Sequence, residues 1–354
     1  MSAAESYAMV GGDGAHSYSK NSTYQRLVVD AAKEMINEAI DNNLDIKNLG
    51  IFDSSKPFKM ADLGCSTVPN TFIAVQNVIE AVENKCLIEH QNTSALEFQV
   101  FFNDQYENDF NTLFKTLPPS RKYFAAGVPG PFQSRLFPKS TLHLVHSSYA
   151  LHWLSKLPEK IVDRNSPAWN KGSIYCTGLL KEVTEAYSAQ YNQDMESFLS
   201  ARAQELVAGG LMVIALSGLP NDIPMSKTTE GKIYNLLGSC LIQMAKSKKW
   251  TRSTSLYIIQ PLKELEAIIK RNGLFTVERM DIFAPSLTGI KYSAESLISH
   301  TRAVFGGFIK EHFGNDCVEQ IFNHFTTKVE ENFSSDLKST DKVSLFMVLK
   351  RISN

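Results

Sequence analysis

The stretch Phe58-Lys59-Met60-Ala61-Asp62-Leu63-Gly64-Cys65-Ser66-Thr67-Val68-Pro69-Asn70-Thr71 decides the fold. An apolar run ends in Asp62-Leu63-Gly64 and then turns through small residues into a helical pattern. In an open α/β sheet this is how the first strand presents a nucleoside ligand at its carboxyl end. Glycine lets backbone approach closely, and the N-terminus of the following helix offers free N–H groups to an anionic group. An Asp-x-Gly alone is a weak signal, so its weight depends on what surrounds it.

Working outward, three more short apolar runs bounded by turns read as buried parallel strands: Leu96–Asn103, Leu142–His146 and Leu211–Leu216. Phe275–Phe283 and Ser344–Arg351 are β-rich and suit neighbouring strands at a sheet edge. Helical patterns lie between them at Tyr24–Glu38, Thr71–Asn84 and Met195–Val207. Strands alternating with helices predict a doubly wound α/β sheet. Two longer helical regions, about Thr228–Ser247 and Ser293–Phe333, interrupt that rhythm and predict a cap over the carboxyl end of the sheet. The expected division places residues 1–154, 200–222, 262–290 and 335–354 in the sheet core. Residues 155–199, 223–261 and 291–334 fall in the helical cap.

The 354 residues are 43% hydrophobic, enough for a large core, and a formal net charge of −1 gives no electrostatic case for nucleic acid or an anionic membrane. Met1–Gly14 has neither the basic nor the apolar segment of a secretory leader, and no apolar run approaches the roughly 20 residues of a membrane helix. Cys65, Cys86, Cys176, Cys240 and Cys317 are odd in number and lack CxxC spacing. That predicts reduced thiols in the cytoplasm and no structural zinc.

The chemistry-bearing segments are four: the Asp62 turn; Phe101-Phe102-Asn103-Asp104; Val128-Pro129-Gly130-Pro131-Phe132; and Ser147-Ser148-Tyr149-Ala150-Leu151-His152-Trp153-Leu154-Ser155. A carboxylate closing the second strand suits ribose hydroxyls, since it accepts two hydrogen bonds. Asp104 stands there, followed by Asn108-Asp109-Phe110-Asn111. Taken together these segments resemble the plant SABATH family of S-adenosylmethionine-dependent carboxyl methyltransferases. The resemblance covers nearly the whole chain and implies a Rossmann-like methyltransferase fold with a helical cap. It also implies S-adenosylmethionine as methyl donor and S-adenosylhomocysteine as product.

Carried over residue by residue, the resemblance puts Tyr18, Ser22, Asp62, Asn70, Asp104, Phe132, Ser147 and Tyr149 around the cofactor. Gln25, Trp153 and His152 become the catalytic group, and Gln25, Tyr149, His152, Trp153, Leu216 and Phe305 the acceptor pocket. Leu219, Ile233 and Val304 are further wall candidates. The N-terminal segment Gly11–Gln25 folds over the cofactor in relatives; its residues alone read as a polar arm ending in a helix cap at Asn21 or Ser22. Asn70 reads equally as a helix N-cap.

In the family a Gln amide and a Trp indole hold the acceptor carboxylate. An ionised acid needs no general base, so neutral donors that orient it suffice. His152-Trp153 is similar to relatives acting on terpenoid acids such as loganic and farnesoic acid, and an iridoid acid is the expected acceptor class; purine N-methylation is the competing one. A homodimer and a peripheral Mg2+ near Asn170 complete what the resemblance implies.

Three positions depart from the family pattern. Val68 stands where relatives have Gly in the cofactor turn, and a β-branched residue resists φ > 0. Pro131 stands where relatives have Ser, removing a hydroxyl and a backbone donor. Lys246–Ser253 replaces an acidic helix and a Ser-Phe-Asn-x-Pro stretch. Val68 and Pro131 together raise an alternative, a member that no longer methylates and has been repurposed for binding or another reaction on a terpenoid ligand.

Overall fold

A computed structural model describes residues 8–49, 56–67, 69–90, 96–170, 180–219, 225–248, 258–259, 261–285, 293–333 and 343–353. The chain runs α1 (Thr23–Ala31), α2 (Lys33–Asn43), β1 (Phe58–Leu63), α3 (Pro69–His90), β2 (Phe98–Asp104), α4 (Phe110–Lys115), β3 (Tyr123–Pro129), β4 (Leu142–Ser148) and α5 (Glu159–Val162). It continues through α6 (Lys181–Glu205), β5 (Leu206–Gly218), α7 (Thr229–Lys248), α8 (Leu262–Asn272), β6 (Phe275–Phe283), α9 (Ala294–Phe313), α10 (Asn315–Asn332) and β7 (Val343–Arg351).

The strands form one sheet in the order β3-β2-β1-β4-β5-β7-β6. The pairs β1–β2, β1–β4, β2–β3 and β4–β5 are parallel, and β7 runs antiparallel to both β5 and β6. The order therefore reverses between β1 and β4, which opens a crevice at their carboxyl ends. The predicted Phe58–Leu63 strand appears with those bounds, and five of its six residues are buried, as a strand covered on both faces requires.

Each sheet face has its own apolar layer. On one, Ile36, Ile40, Val75, Val78 and Ile79 of α2 and α3 pack with Phe58, Met60, Val100 and Phe102. On the other, α6 and α8 pack with Ala61, Leu63, Val145, Met212 and Ile214. A third cluster joins α7, α9 and α10 through Leu237, Leu241, Phe305, Phe308, Ile309 and Phe325. Partly buried Trp153 touches both the second and the third.

The structure redraws several elements. The Met195–Val207 helix begins at Lys181, and Leu206–Val207 already belong to β5. Its first turns bury Val183, Tyr187 and Tyr191 but also Gln190 and Asp194, and polar residues on the inner face hide the apolar period. Residues 181–199, expected in the cap, thus pack on the sheet. Ser293–Phe333 is two helices, divided at Gly314 (φ +80°). Tyr24–Glu38 spans α1 and the start of α2. Edge strand β3, sequence YFAAGVP, carries too little β-branched signal to have been anticipated.

Cys65, Cys86, Cys240 and Cys317 are buried free thiols, and Cys176 lies outside the described residues. Among the described residues no helix is long and apolar enough to cross a membrane.

Candidate active site

The crevice holds a cavity of about 380 Å³. Its floor is the turn after β1, where Gly64 (φ +82°) and Ser66 (φ +52°) both adopt left-handed backbone. The N–H groups of Gly64 and Cys65 donate to the Asn103 carbonyl at 2.9 and 3.0 Å, coupling the ends of β1 and β2. A Cβ at Gly64 would lie 2.2 Å from the Ala150 Cβ. Glycine is therefore demanded here by contact with the loop after β4 as well as by φ, beyond the ligand approach anticipated from sequence.

Asp104 ends β2 and faces the cavity. One carboxylate oxygen accepts from Ser66 N–H at 2.7 Å and the other from Gln105 N–H at 2.8 Å. Burial pushes its pKa up to about 6, against those two backbone donors, which pull it down. Asn108 and Asp109 support this corner. Asn108 donates to the Ser66 carbonyl at 3.2 Å, and Asp109 caps α4 while accepting from Gly12 N–H at 3.2 Å.

On β1, Asp62 is 3% exposed and its Oδ1 lies 2.7 Å from His146 Nδ1 on β4. Its Oδ2 accepts from the Thr71 hydroxyl. Asn70 donates through Nδ2 to both the hydroxyl and the carbonyl of Ser22, at 3.1 and 3.2 Å, so it clamps the N-terminal arm to α3. The arm folds back beside α9: Val10 N–H donates to Ala303 at 3.0 Å, and Tyr18 N–H to Val10 at 2.8 Å. Gly306 and Gly307 make that seat possible, since a Cβ at Gly307 would stand 2.7 Å from the Ala8 carbonyl oxygen. Tyr18 is buried in the cavity wall, and burial raises its phenol pKa.

Gln25 of α1 lines the same cavity as Tyr149, His152 and Trp153, which the loop after β4 carries. Tyr149 is held at φ +56° by its N–H to the Ala215 carbonyl (2.8 Å) and by its hydroxyl 2.7 Å from the Ser344 hydroxyl. Such a conformation costs a bulky residue about 1–3 kcal/mol and persists only where its surroundings impose it. Phe305 packs behind Trp153, ring centroids 6.1 Å apart.

Of the residues singled out from sequence, Tyr18, Gln25, Asp62, Asn70, Asp104, Phe132, Tyr149, His152, Trp153 and Val304 line the cavity. Ser22 and Phe305 stand one layer behind. Ser147 turns its hydroxyl to the Leu63 carbonyl at 2.9 Å, and Ser148, the next residue, faces the cavity instead. Leu216 belongs to the sheet core and Ile233 to the cap cluster; Leu219 bridges Pro261.

Sequence reading passed over His146, His300, Gln133 and the α6 face that carries Gln190, Gln193, Asp194 and Ser197, all of them lining. The α6 residues recur at helical spacing, the one available signal, but polar residues on an inward face read as solvated. Burial raises the Asp194 carboxyl, which accepts from Ser155 and Gln190.

Of the three departures, Val68 lies outside the described residues, as do residues 249–253 of the Lys246–Ser253 stretch. Pro131 lines the cavity and opens a turn in which its carbonyl accepts from the Ser134 N–H at 3.1 Å and hydroxyl at 3.0 Å. Near Asn170, residues 171–179 lie outside the described residues. Among the described residues no group of three or more His, Cys, Asp or Glu side chains could hold a metal ion.

Residues 4–352 match the family described as SAM dependent carboxyl methyltransferase. The chain belongs to that family. It is 45% identical to loganic acid O-methyltransferase of Catharanthus roseus, over 99% of this chain and 96% of that protein. It is 43% identical to farnesoic acid carboxyl-O-methyltransferase of Arabidopsis thaliana, over 98% and 99%. A solved structure described as loganic acid methyltransferase with SAH superposes with a TM-score of 0.92 at 44% identity, covering 98% of this chain and 99% of that one. This SAM-dependent carboxyl methyltransferase therefore has the methyltransferase fold expected from its sequence, and the alternative of a repurposed, non-methylating member is not favoured. The cavity's residues suit the cofactor: carboxylates at the ends of β1 and β2, an aromatic ring at Phe132, and amide and hydroxyl groups at Asn70 and Ser148.

Proposed function

We propose that the protein forms the methyl ester of a small plant terpenoid or iridoid acid, with loganic acid the first acceptor to test. One observation carries this reading: Gln25, His152 and Trp153 line the same cavity as Asp104, so an acceptor carboxylate and the methyl donor can meet there. When bound, S-adenosylmethionine supplies a methyl group on a sulfonium and leaves as the neutral thioether S-adenosylhomocysteine.

The Gln25 amide and Trp153 indole are neutral donors that orient one carboxylate oxygen without quenching its nucleophilicity. An acid with a pKa near 4 is ionised at neutral pH, so no residue has to remove a proton. Positioning of this kind supplies roughly 7–11 kcal/mol in well-oriented pairs. Asp104 takes the ribose hydroxyls, Phe132 the adenine face, and Tyr18, Ser22, Asp62, Asn70, Ser147 and Tyr149 enclose the remainder directly or through a neighbour. His152 contributes to acceptor recognition, and α7, α9 and α10 form the cap over the acceptor. We further propose a cytoplasmic homodimer; a peripheral Mg2+ near Asn170 would have no part in the chemistry drawn here.

The test is an acceptor panel of loganic acid, farnesoic acid, salicylate and xanthine with S-adenosylmethionine, analysed for methyl esters by mass spectrometry. Methyl loganate as the dominant product supports the reading. Transfer to xanthine nitrogen, or turnover of salicylate alone, overturns it.

A further inference from the structure

His146 occupies a position that the reaction as described leaves without a task. It faces Asp62 directly in the β1–β4 register, is 4% exposed, and sits in the cavity wall. A carboxylate only accepts hydrogen bonds, so at 2.7 Å the proton of the contact lies on Nδ1. Among the described residues no hydrogen bond is made by Nε2, and the side chain lines the cavity. In the tautomer with its proton on Nδ1, Nε2 presents a lone pair to the cavity, backed by a buried carboxylate.

Each acidic side chain of the cavity already has at least two hydrogen-bond contacts. Asp104 holds two backbone N–H groups at the end of β2; Asp194 accepts from Ser155 and Gln190; Glu230 accepts from Tyr234 at 2.9 Å and Ser217 at 3.3 Å. Asp62 has one oxygen on His146 and the other on Thr71. An ammonium entering this end of the cavity meets an open acceptor at His146 Nε2, with the compensating charge one hydrogen bond behind it. The methyl donor carries such an ammonium on its amino-acid arm.

We propose that His146 is a cofactor-binding residue: its Nε2 accepts a hydrogen bond from the α-ammonium of the cofactor, and the Nδ1–H to Asp62 contact fixes the tautomer and supplies the charge. The inference rests on the cofactor reading above and adds to it the group that recognises the amine. Asp62 then acts mainly through His146.

The test pairs one substitution with one ligand change. His146→Asn keeps an N–H where Nδ1 donates to Asp62 and removes the acceptor at Nε2. Calorimetric binding of S-adenosylhomocysteine and of its analogue lacking only the α-amino group is measured for both proteins, with thermal unfolding alongside. H146N is expected to unfold as the parent does and to bind S-adenosylhomocysteine roughly 10- to 100-fold more weakly, the range for a hydrogen bond to a charged group. It should bind the deamino analogue within about twofold of the parent, since that ligand has no ammonium to lose. Equal weakening of both ligands, or of neither, overturns the proposal. Failure of the parent protein to bind S-adenosylhomocysteine would instead remove the cofactor reading beneath it.

Discussion

The guanidinium of Arg202 and the carboxylate of Glu205 lie 2.8 Å apart on α6, and neither side chain has any exposed surface. Arg202 donates to the carbonyls of Phe132 and Ser134, both at 2.8 Å, while Glu205 accepts from the N–H groups of Leu136 and Phe137 at 2.5 and 3.0 Å. One ion pair thereby satisfies four backbone groups of the loop whose Pro131–Ser134 stretch lines the cavity. Removing one partner strands the other charge in the interior, typically at about 3–5 kcal/mol. Arg202→Met should lower the denaturation midpoint accordingly and weaken S-adenosylhomocysteine binding, measured by urea unfolding and calorimetry. R202M paired with Glu205→Leu should recover the cost of the stranded charge but only part of the stability and none of the affinity, because four backbone groups of the loop still lose their partners.

Gly64 tolerates no side chain. Its φ of +82° and the 2.2 Å approach to Ala150 act together, so Gly64→Ala must move either the β1 turn or the loop carrying His152 and Trp153. We expect a loss of roughly 2–4 kcal/mol, combining backbone strain with overpacking, read from urea unfolding. Loss of both cofactor and acceptor affinity should accompany it.

Asp104 governs the acid limb of cofactor binding. Its pKa of about 6 lies above the ordinary carboxylate value because burial disfavours the charged form. Ribose hydroxyls donate to the ionised carboxylate, so binding favours the deprotonated state. S-adenosylhomocysteine affinity should therefore be flat above pH 7 and fall as pH drops through 6. Asp104→Asn should bind weakly and without that dependence between pH 5 and 7, as titration calorimetry across the range would reveal.

Trp153 and Gln25 should separate acceptor from cofactor. Trp153→Phe keeps the ring against Phe305 and deletes the indole N–H; it should raise the acceptor KM about tenfold, one hydrogen bond to a charged group, while S-adenosylhomocysteine affinity stays constant. Gln25→Ala should behave alike, with an added effect through His300, whose Nε2 lies 3.5 Å from the Gln25 amide nitrogen and whose Nδ1 lies 2.8 Å from the Asn21 carbonyl. Steady-state kinetics with the acceptor varied at saturating cofactor distinguishes the two parameters.

Local sequence determined the architecture because its signals are local. The mostly apolar six residues Phe58–Leu63, closed by Gly64, read as a buried strand, and alternation with helices leaves a doubly wound sheet. Asp104 could be placed for the same reason, as the acid that closes the second strand. What tertiary structure alone decided is which atoms face the cavity. On β4, His146 and Ser148 point into it and Ser147 does not, because side chains alternate along a strand and a motif does not reveal its own parity. The pairing of Asp62 with His146 spans 84 residues, and the Arg202 clamp on Phe132 spans 70. Such contacts exist only after strands and helices pack, since buried charge finds its partner in space, not in sequence. The early start of α6 follows the same rule: Gln190 and Asp194 look like surface residues until the cavity they face is built.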